Sequence, residues 1–310
     1  MTMAMMMDRY STLRGEMRLA EPLARYTSWR VGGPAERCYR PADLADLCAF
    51  LRRLPVEEPL FWLGLGSNLL VRDGGIRGTV ILTHGALQAL AMVEEHTLRV
   101  EAGVPCAKVA RFSARHDLTG AEFLAGIPGT LGGALAMNAG AWGNETWTRV
   151  RAVESVDWHG RRQLRTPEDY EIGYRHVQGP PGEWFVAAYL TLVPGDGAAS
   201  LGRIRQLLER RSRTQPTGVA SCGSVFRNPP GRYAAQLIET AGMKGVCIGA
   251  ACVSTKHANF ILNTGKATAA EIEALLYEVA ATVARVHGVP LVTEVQIVGE
   301  PGGAGSETHE

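Results

Sequence analysis

No stretch of the 310-residue chain approaches the roughly 18 consecutive apolar residues that a membrane helix needs, which argues against membrane insertion. Neither sign of charge is in excess. The 32 basic residues stand against 31 acidic ones, so a general nucleic-acid surface is not expected and an anionic ligand must be met by local groups. The six cysteines, Cys38, Cys48, Cys106, Cys222, Cys247 and Cys252, include no CxxC pair and no Cys/His cluster at zinc spacing. No metal site is therefore expected, and all six should be reduced, mostly buried thiols of a cytoplasmic protein. The N-terminal stretch lacks the uninterrupted apolar run of a signal peptide, since Asp8, Arg9, Arg14 and Glu16 break it. No Walker A pattern occurs.

What the chain does have is glycine in two clusters. The segment Glu122–Gly143 carries Gly126, Gly129, Gly132, Gly133, Gly140 and Gly143 among alanines. Within it, Gly126-Ile127-Pro128-Gly129 is a turn signal, and Thr130-Leu131-Gly132-Gly133-Ala134 should bring unshielded backbone N–H groups together, where small side chains let a phosphate or a flat ring approach closely. Upstream, the apolar run Leu60–Leu63 enters Gly64-Leu65-Gly66-Ser67-Asn68. A Rossmann fingerprint would need a third glycine where Leu69 stands. What remains is a second phosphate-sized turn with two polar side chains, and two such turns suit a pyrophosphate held between loops.

Gly-x-Gly-Ser-Asn, followed about sixty residues later by GIPG-x-x-GG-x-x-x-x-NAGA-x-G, resembles the UDP-N-acetylenolpyruvoylglucosamine reductase family. The resemblance runs from Thr27-Ser28-Trp29-Arg30 to the Thr293–Gly299 segment, and the short segment Pro229–Ala235 is similar to the compact subclass. It implies an α+β fold with an FAD-binding part of the vanillyl-alcohol-oxidase type in two subdomains, followed by a C-terminal α+β substrate domain. It also implies non-covalent FAD, NADPH as reductant, UDP-N-acetylglucosamine enolpyruvate as substrate and a step of peptidoglycan precursor synthesis. A monomer or weak oligomer is expected. Related oxidases often bind FAD covalently through a histidine in the first glycine loop, and this chain has none between Gly64 and Arg77.

Periodicity predicts helices over 41–54, 105–116, 201–213, 233–241 and 268–287. The last is marked by the capping box Thr268-x-x-Glu271 and stopped by Gly288. Strands are expected at 60–63, 79–82, 98–102, 150–158, 184–193 and 292–298. Pro194-Gly195-Asp196-Gly197 reads as a linker. The expected organisation is a disordered extension over 1–20, an FAD-binding domain over 21–196, a substrate domain over 197–299 and a disordered tail over 300–310.

Residue by residue, the resemblance implies that Gly64, Gly66, Ser67, Asn68, Leu69, Gly126, Ile127, Pro128, Gly129, Gly132, Gly133, Ala134, Asn138, Gly140 and Ala141 bind the cofactor. Its Tyr-Arg pair falls on Tyr174 and Arg175, whose planar guanidinium suits a substrate carboxylate. The family serine expected two residues after the arginine is Val177 here. The catalytic serine falls on Ser224, which lacks the GxSxG elbow and the paired histidine and aspartate of a hydrolase. The closing Glu-Val motif puts Glu294 in the catalytic set. Arg227 and Asn228 are expected near the substrate, and Lys244, His257 and Asn259 are candidates for its diphosphate.

Overall fold

A computed structural model describes residues 10–55 and 57–303. Its contacts divide the chain into two compact units. One takes the chain up to Arg18, Cys38–Leu65 and Thr79–Glu209; the other takes Leu19–Arg37, Gly66–Gly78 and the chain from Arg210 onward. This differs from the expected single cut near residue 196. The expected linker is instead a helix start: the Asp196 carboxylate accepts the N–H groups of Ala198 and Ala199, and one helix runs over Gly197–Thr214.

The first unit is built on a five-stranded antiparallel sheet in the order Arg162–Arg165, Val150–Asp157, Glu183–Thr191, Thr97–Glu101, Leu90–Glu94. Alternation along these strands sends Val153, Ala188, Leu190, Leu98 and Val100 into one core, all at most 1% exposed. That core is closed by the helices α2 (Cys106–Arg115), α3 (Leu131–Ala136) and α4 (Gly197–Thr214). A second cluster packs α1 (Leu44–Leu51) around Tyr39, Phe50 and Ile81. Helix α1 begins later than its proline suggested, because Asp43 supplies the N-cap by accepting the Asp46 N–H. Strand Leu60–Leu63 runs parallel to residues 79–82.

The second unit has a four-stranded antiparallel sheet, Ala220–Ser221, Ile261–Asn263, Ala251–Val253, Cys247–Ile248. Helices α5 (Ala234–Thr240) and α6 (Ala269–His287) share its core. The capping box and the left-handed Gly288 end α6 as the sequence predicts, and the Asp73 carboxylate adds a second cap by accepting from Ala269 and Ala270 N–H. The final strand is shorter than expected: only Gln296–Val298 pairs, parallel to Leu69–Val71.

Three expectations about the ends and the thiols need correction. Residues 16–22 form a strand, so part of the expected extension is folded; residues 1–9 lie outside the described residues, as does the tail from 304. Glu300 is tied to Gly74 and Gly75 by backbone hydrogen bonds. Cys247 and Cys252 form a disulfide, because the hairpin register sets them directly opposite each other; only Cys38, Cys48, Cys106 and Cys222 remain as buried thiols. Among the described residues no helix is long and apolar enough to cross a membrane.

On the sheet face of the first unit, Glu154 is 4% exposed. It receives hydrogen bonds from Arg99, Arg162 and Tyr189. Burial pushes its carboxyl upward, but the two guanidinium groups and the phenol outweigh burial and hold it at about 2, below its ordinary 4.5. A depressed carboxylate contributes stability above its unfolded value and loses it as pH falls through the folded one. Glu154→Gln should therefore cost about 3 kcal/mol at neutral pH, at the lower end for breaking a buried ion pair. Urea unfolding should show the gap to wild type shrinking as pH falls from 4.5 toward 2. A gap that does not depend on pH would mean that the network's ionisation contributes nothing.

Candidate active site

In the first unit, a cavity of about 260 Å³ lies between the strand Leu60–Leu63, the start of α3 and the strand Glu183–Thr191. Gly64, Thr130, Gly132, Gly133 and Ala136 line its floor, while Trp62, Tyr170, Trp184 and Phe185 give it aromatic walls. The glycines here are needed for two different reasons. A Cβ on Gly64 would stand 2.4 Å from Thr130 Oγ1, and one on Gly132 would stand 2.9 Å from Ala102 Cβ, so these positions let the backbone elements meet. A Cβ on Gly133 would meet nothing nearer than 3.9 Å, so there the absent side chain leaves cavity space. The Trp62 Nε1–H is buried without an acceptor among the described residues, a cost of about 1–3 kcal/mol while it goes unpaired.

The expected row of open N–H groups is mostly closed. Leu131 and Gly132 donate to the carbonyls of Val104 and Ala102, because the segment pairs with residues 102–106. Gly126, Ile127, Pro128 and Gly129 do not line the cavity. At Gly126 a Cβ would lie 2.1 Å from the Trp142 ring, so that glycine serves packing. Ala134 is buried in the core. Asn138, expected at the cofactor, is 1% exposed. Its amide donates to Glu145 and Gly173 and accepts from the Trp147 N–H. Asn138 thus anchors the hairpin Glu171–Gly173/His176–Gln178, which the sequence did not reveal.

Tyr174 and Arg175 form the two-residue turn of that hairpin. Arg175 takes φ +53°, a left-handed conformation that costs a non-glycine residue about 1–2 kcal/mol. Its guanidinium donates to the carbonyls of Asn138 and Gly140 at 3.4 and 3.1 Å, while its Cζ lies 4.9 Å from the Tyr174 ring centroid. Gly140 therefore belongs to the Arg175 support, and Ala141 follows it in the short strand that pairs with Asn144–Glu145. Val177 lines the cavity.

In the second unit, Gly66 takes φ +56°, and a Cβ there would lie 2.1 Å from the Tyr26 carbonyl. The Ser67 carbonyl accepts from Cys222 Sγ at 2.7 Å, where burial pushes the thiol up. Asn68 Nδ2 donates to the Glu294 carbonyl at 3.0 Å, and the Asn68 carbonyl accepts from Gln296 N–H. Leu69 pairs with Gln296. The Ser67–Leu69 turn is thereby tied to the segment that carries Glu294.

That segment lies directly beside the one that carries Ser224. Glu294 N–H donates to the Val225 carbonyl at 2.8 Å, Arg227 N–H donates to Val292, and Phe226 and Thr293 form a bridge. Asn259 clamps the Ser224 segment from its other side. Its Oδ1 accepts from Phe226 N–H at 3.0 Å and its Nδ2 donates to the Phe226 carbonyl at 2.8 Å. With both ends of the amide used and 4% exposure, Asn259 positions the serine segment. Asn228 Oδ1 likewise accepts the Ala234 N–H at the start of α5. Arg227 keeps a buried Nε without an acceptor among the described residues. Lys244 pairs with Glu239 at 2.7 Å. Burial, followed by the charge of Lys244, lowers the His257 pKa and favours the neutral ring.

Sequence reasoning missed Trp62, Tyr170 and Trp184 as cavity residues, although the alternation of the two strands was visible. Among the described residues no cluster of three metal-ligating side chains occurs.

Comparison with known proteins gives a consistent result. Residues 35–163 match the family described as FAD binding domain, and residues 215–298 match that described as UDP-N-acetylenolpyruvoylglucosamine reductase, C-terminal domain. A UDP-N-acetylenolpyruvoylglucosamine reductase of Alkalilimnicola ehrlichii is 67% identical over 286 residues, covering 92% of this chain and 96% of the relative. One of Methylococcus capsulatus is 63% identical, covering 93% and 94%. A crystal structure of the Thermus caldophilus UDP-N-acetylenolpyruvylglucosamine reductase superposes with a TM-score of 0.78 at 34% identity, over 92% of this chain and 99% of that one. The chain belongs to the UDP-N-acetylenolpyruvoylglucosamine reductase family of FAD oxidoreductases.

Proposed function

We propose that this chain reduces UDP-N-acetylglucosamine enolpyruvate to UDP-N-acetylmuramate with NADPH, a cytoplasmic step of peptidoglycan precursor synthesis. The observation that carries this reading is the pairing of the Ser224 and Glu294 segments through the Val225 carbonyl, with a serine hydroxyl that makes no hydrogen bond among the described residues.

The residues of the first unit suit FAD. Gly133 leaves room at the floor of the cavity, Gly64 and Gly132 admit close backbone approach, and Trp62 offers an unpaired buried donor. Held there, FAD would supply the hydride chemistry that links NADPH to the enolpyruvyl double bond.

What the chain itself must provide is a grip on the substrate carboxylate, an offset for negative charge and a proton for C2. Arg175, already oriented by the carbonyls of Asn138 and Gly140, binds the substrate carboxylate with its planar fork. Because those carbonyls are neutral acceptors, exchanging them for a carboxylate strengthens the interaction. Ser224 Oγ donates the proton to C2. A hydroxyl is a weak acid, but the carbon it protonates is enolate-like and strongly basic, so the transfer is downhill. Glu294, placed beside it by the Val225 carbonyl, orients the donor and its hydrogen bonds. Arg227, with its unpaired Nε, stabilises the serine oxygen as it loses its proton.

Three variants test this reading. Gly133→Val should leave thermal stability close to wild type, since a Cβ there meets no atom within 3.9 Å, yet the purified protein should be depleted of FAD. Full flavin content would show that the cavity floor is not cofactor space. Ser224→Ala should slow sugar reduction by about 10²–10⁴-fold, the usual worth of a general acid. NADPH should still bleach the bound flavin at the wild-type rate, as read in a stopped-flow experiment. Arg175→Ala should show the same split, with a raised half-saturating sugar concentration. Sugar reduction by Ser224→Ala within a few-fold of wild type would assign the proton to another group.

A further inference from the structure

The Cys247–Cys252 disulfide is out of keeping with the reducing compartment proposed above, where a bridge is ordinarily a catalytic or redox-sensing one. It is also a weak staple. Its cysteines are 5 positions apart in sequence, and closing so short a loop constrains the unfolded chain far less than a long-range bridge does. What the bridge ties down is one edge strand. Cys247–Ile248 is outermost in the four-stranded sheet and has Ala251–Val253 as its neighbour. The rest of the hairpin is fixed without it. Ala251 and Val253 are buried in the second-unit core, and their strand pairs with Ile261–Asn263 on its other edge. In the turn, the Ala250 carbonyl accepts from the Thr264 N–H and hydroxyl, and the Ala250 N–H donates to Glu271, the capping residue of α6. Upstream, Met243 is buried and its N–H donates to the Ile238 carbonyl of α5. Between these anchors lies Lys244–Ile248, whose ties to the hairpin other than the bridge are the short ladder itself and two backbone hydrogen bonds to Val253.

We infer that Cys247–Cys252 is a reversible thiol–disulfide site that governs how firmly Lys244–Ile248 is held and, through Lys244, the affinity for the sugar substrate. Access sets the order of events. Cys247 is exposed and Cys252 half-buried, so a small thiolate attacks Cys247 Sγ, forms a mixed disulfide and releases the Cys252 thiolate. A second thiolate attacks the small-molecule sulfur of that mixed disulfide, which leaves as the small disulfide and frees the Cys247 thiolate. Two small thiols are thereby oxidised to one disulfide, and the protein bridge takes up two electrons and two protons to become two thiols. An excess of the small disulfide drives the same steps backward, and exposed bridges are the labile ones. The consequence for the sugar rests on the function proposed above. Lys244 stands three residues before Cys247 and is a candidate for the sugar diphosphate; its charge is felt at the ring of His257, another such candidate. With the bridge closed, Lys244 is presented from a fixed backbone. With it open, the segment must be ordered each time the sugar binds, which weakens binding without touching the chemical steps.

The test uses the full-length chain, with reduced and oxidised glutathione as the thiol and its disulfide. Trypsin, cutting after Lys244 and Lys256, gives one peptide, Gly245–Lys256, that contains both cysteines of the pair and no other. Alkylation of the native protein, read on this peptide by mass spectrometry, should label neither cysteine in oxidised buffer and both in reduced buffer, reversibly. Hydrogen exchange should quicken at 244–248 in the reduced protein and stay unchanged at 251–253. The half-saturating sugar concentration should rise about tenfold on reduction, the low end for one hydrogen bond to a charged group. The maximal rate and the bleaching of flavin by NADPH should not change. A double variant, Cys247→Ser with Cys252→Ser, should match the reduced protein and ignore glutathione; the wild-type titration decides the matter without it if it does not fold. A pair that stays bridged, or never bridges, at every glutathione ratio would overturn the exchange. Exchange without faster hydrogen exchange at 244–248, or without a change in the half-saturating concentration, would overturn the switch. A protein that reduces no sugar in either redox state would instead remove the function proposed above, while labelling and hydrogen exchange would still decide the bridge.

Discussion

In the second unit, everything near the candidate chemistry depends on the backbone around Phe226. That residue's N–H and carbonyl are both held by the Asn259 amide, and the neighbouring Val225 carbonyl accepts from Glu294. An extended segment used on both edges in this way cannot slip by one residue without breaking every one of these bonds. Slippage would also turn Ser224 away from its present side. The turn carrying Asn68 is fastened to the same place through the Glu294 carbonyl, so an amide of the glycine turn, a carboxylate residue and a serine share one hydrogen-bonded frame. Buried amides satisfied at both ends are costly to disturb, which is why this frame can position a small side chain such as Ser224.

The first unit solves a different problem with small residues and with strain. Gly64 and Gly132 let the strand end and α3 approach closer than any Cβ allows. The Asn138–Gly140 backbone then does two things at once: the Asn138 amide holds the hairpin at Gly173, and the carbonyls of Asn138 and Gly140 receive the Arg175 guanidinium. Arg175 sits at a turn position where glycine or asparagine would be comfortable. Keeping arginine in a left-handed conformation there is a cost that folding alone does not require, as expected where a side chain is retained for its chemistry.

Much of this was legible in the sequence, and the gaps have physical causes. Glycine spacing pointed to Gly64, Gly132 and Gly133, because close backbone approach leaves a compositional trace. Helix α6 was legible from Thr268, Glu271 and Gly288, each acting on its own helix. The protein partners of Asn138 and Asn259 were not legible, because a polar side chain in a motif looks the same whether its partner is a phosphate or a distant backbone group. The Tyr174-Arg175 turn carries no glycine or asparagine at its strained position, so the hairpin left no signal. The Cys247–Cys252 pairing depends on a two-residue register that short strands do not announce. Asp196 was read as part of a linker because helix caps and loops draw on the same residues.

Both units are accounted for if the chain passes reducing equivalents from a nicotinamide to the double bond of an enolpyruvyl sugar. The direct measurement is anaerobic: protein whose flavin has been bleached by one equivalent of NADPH is mixed with UDP-N-acetylglucosamine enolpyruvate while flavin absorbance is followed. The account predicts that the oxidised spectrum returns in step with formation of UDP-N-acetylmuramate. A flavin that stays bleached, with the sugar recovered unchanged, would contradict it.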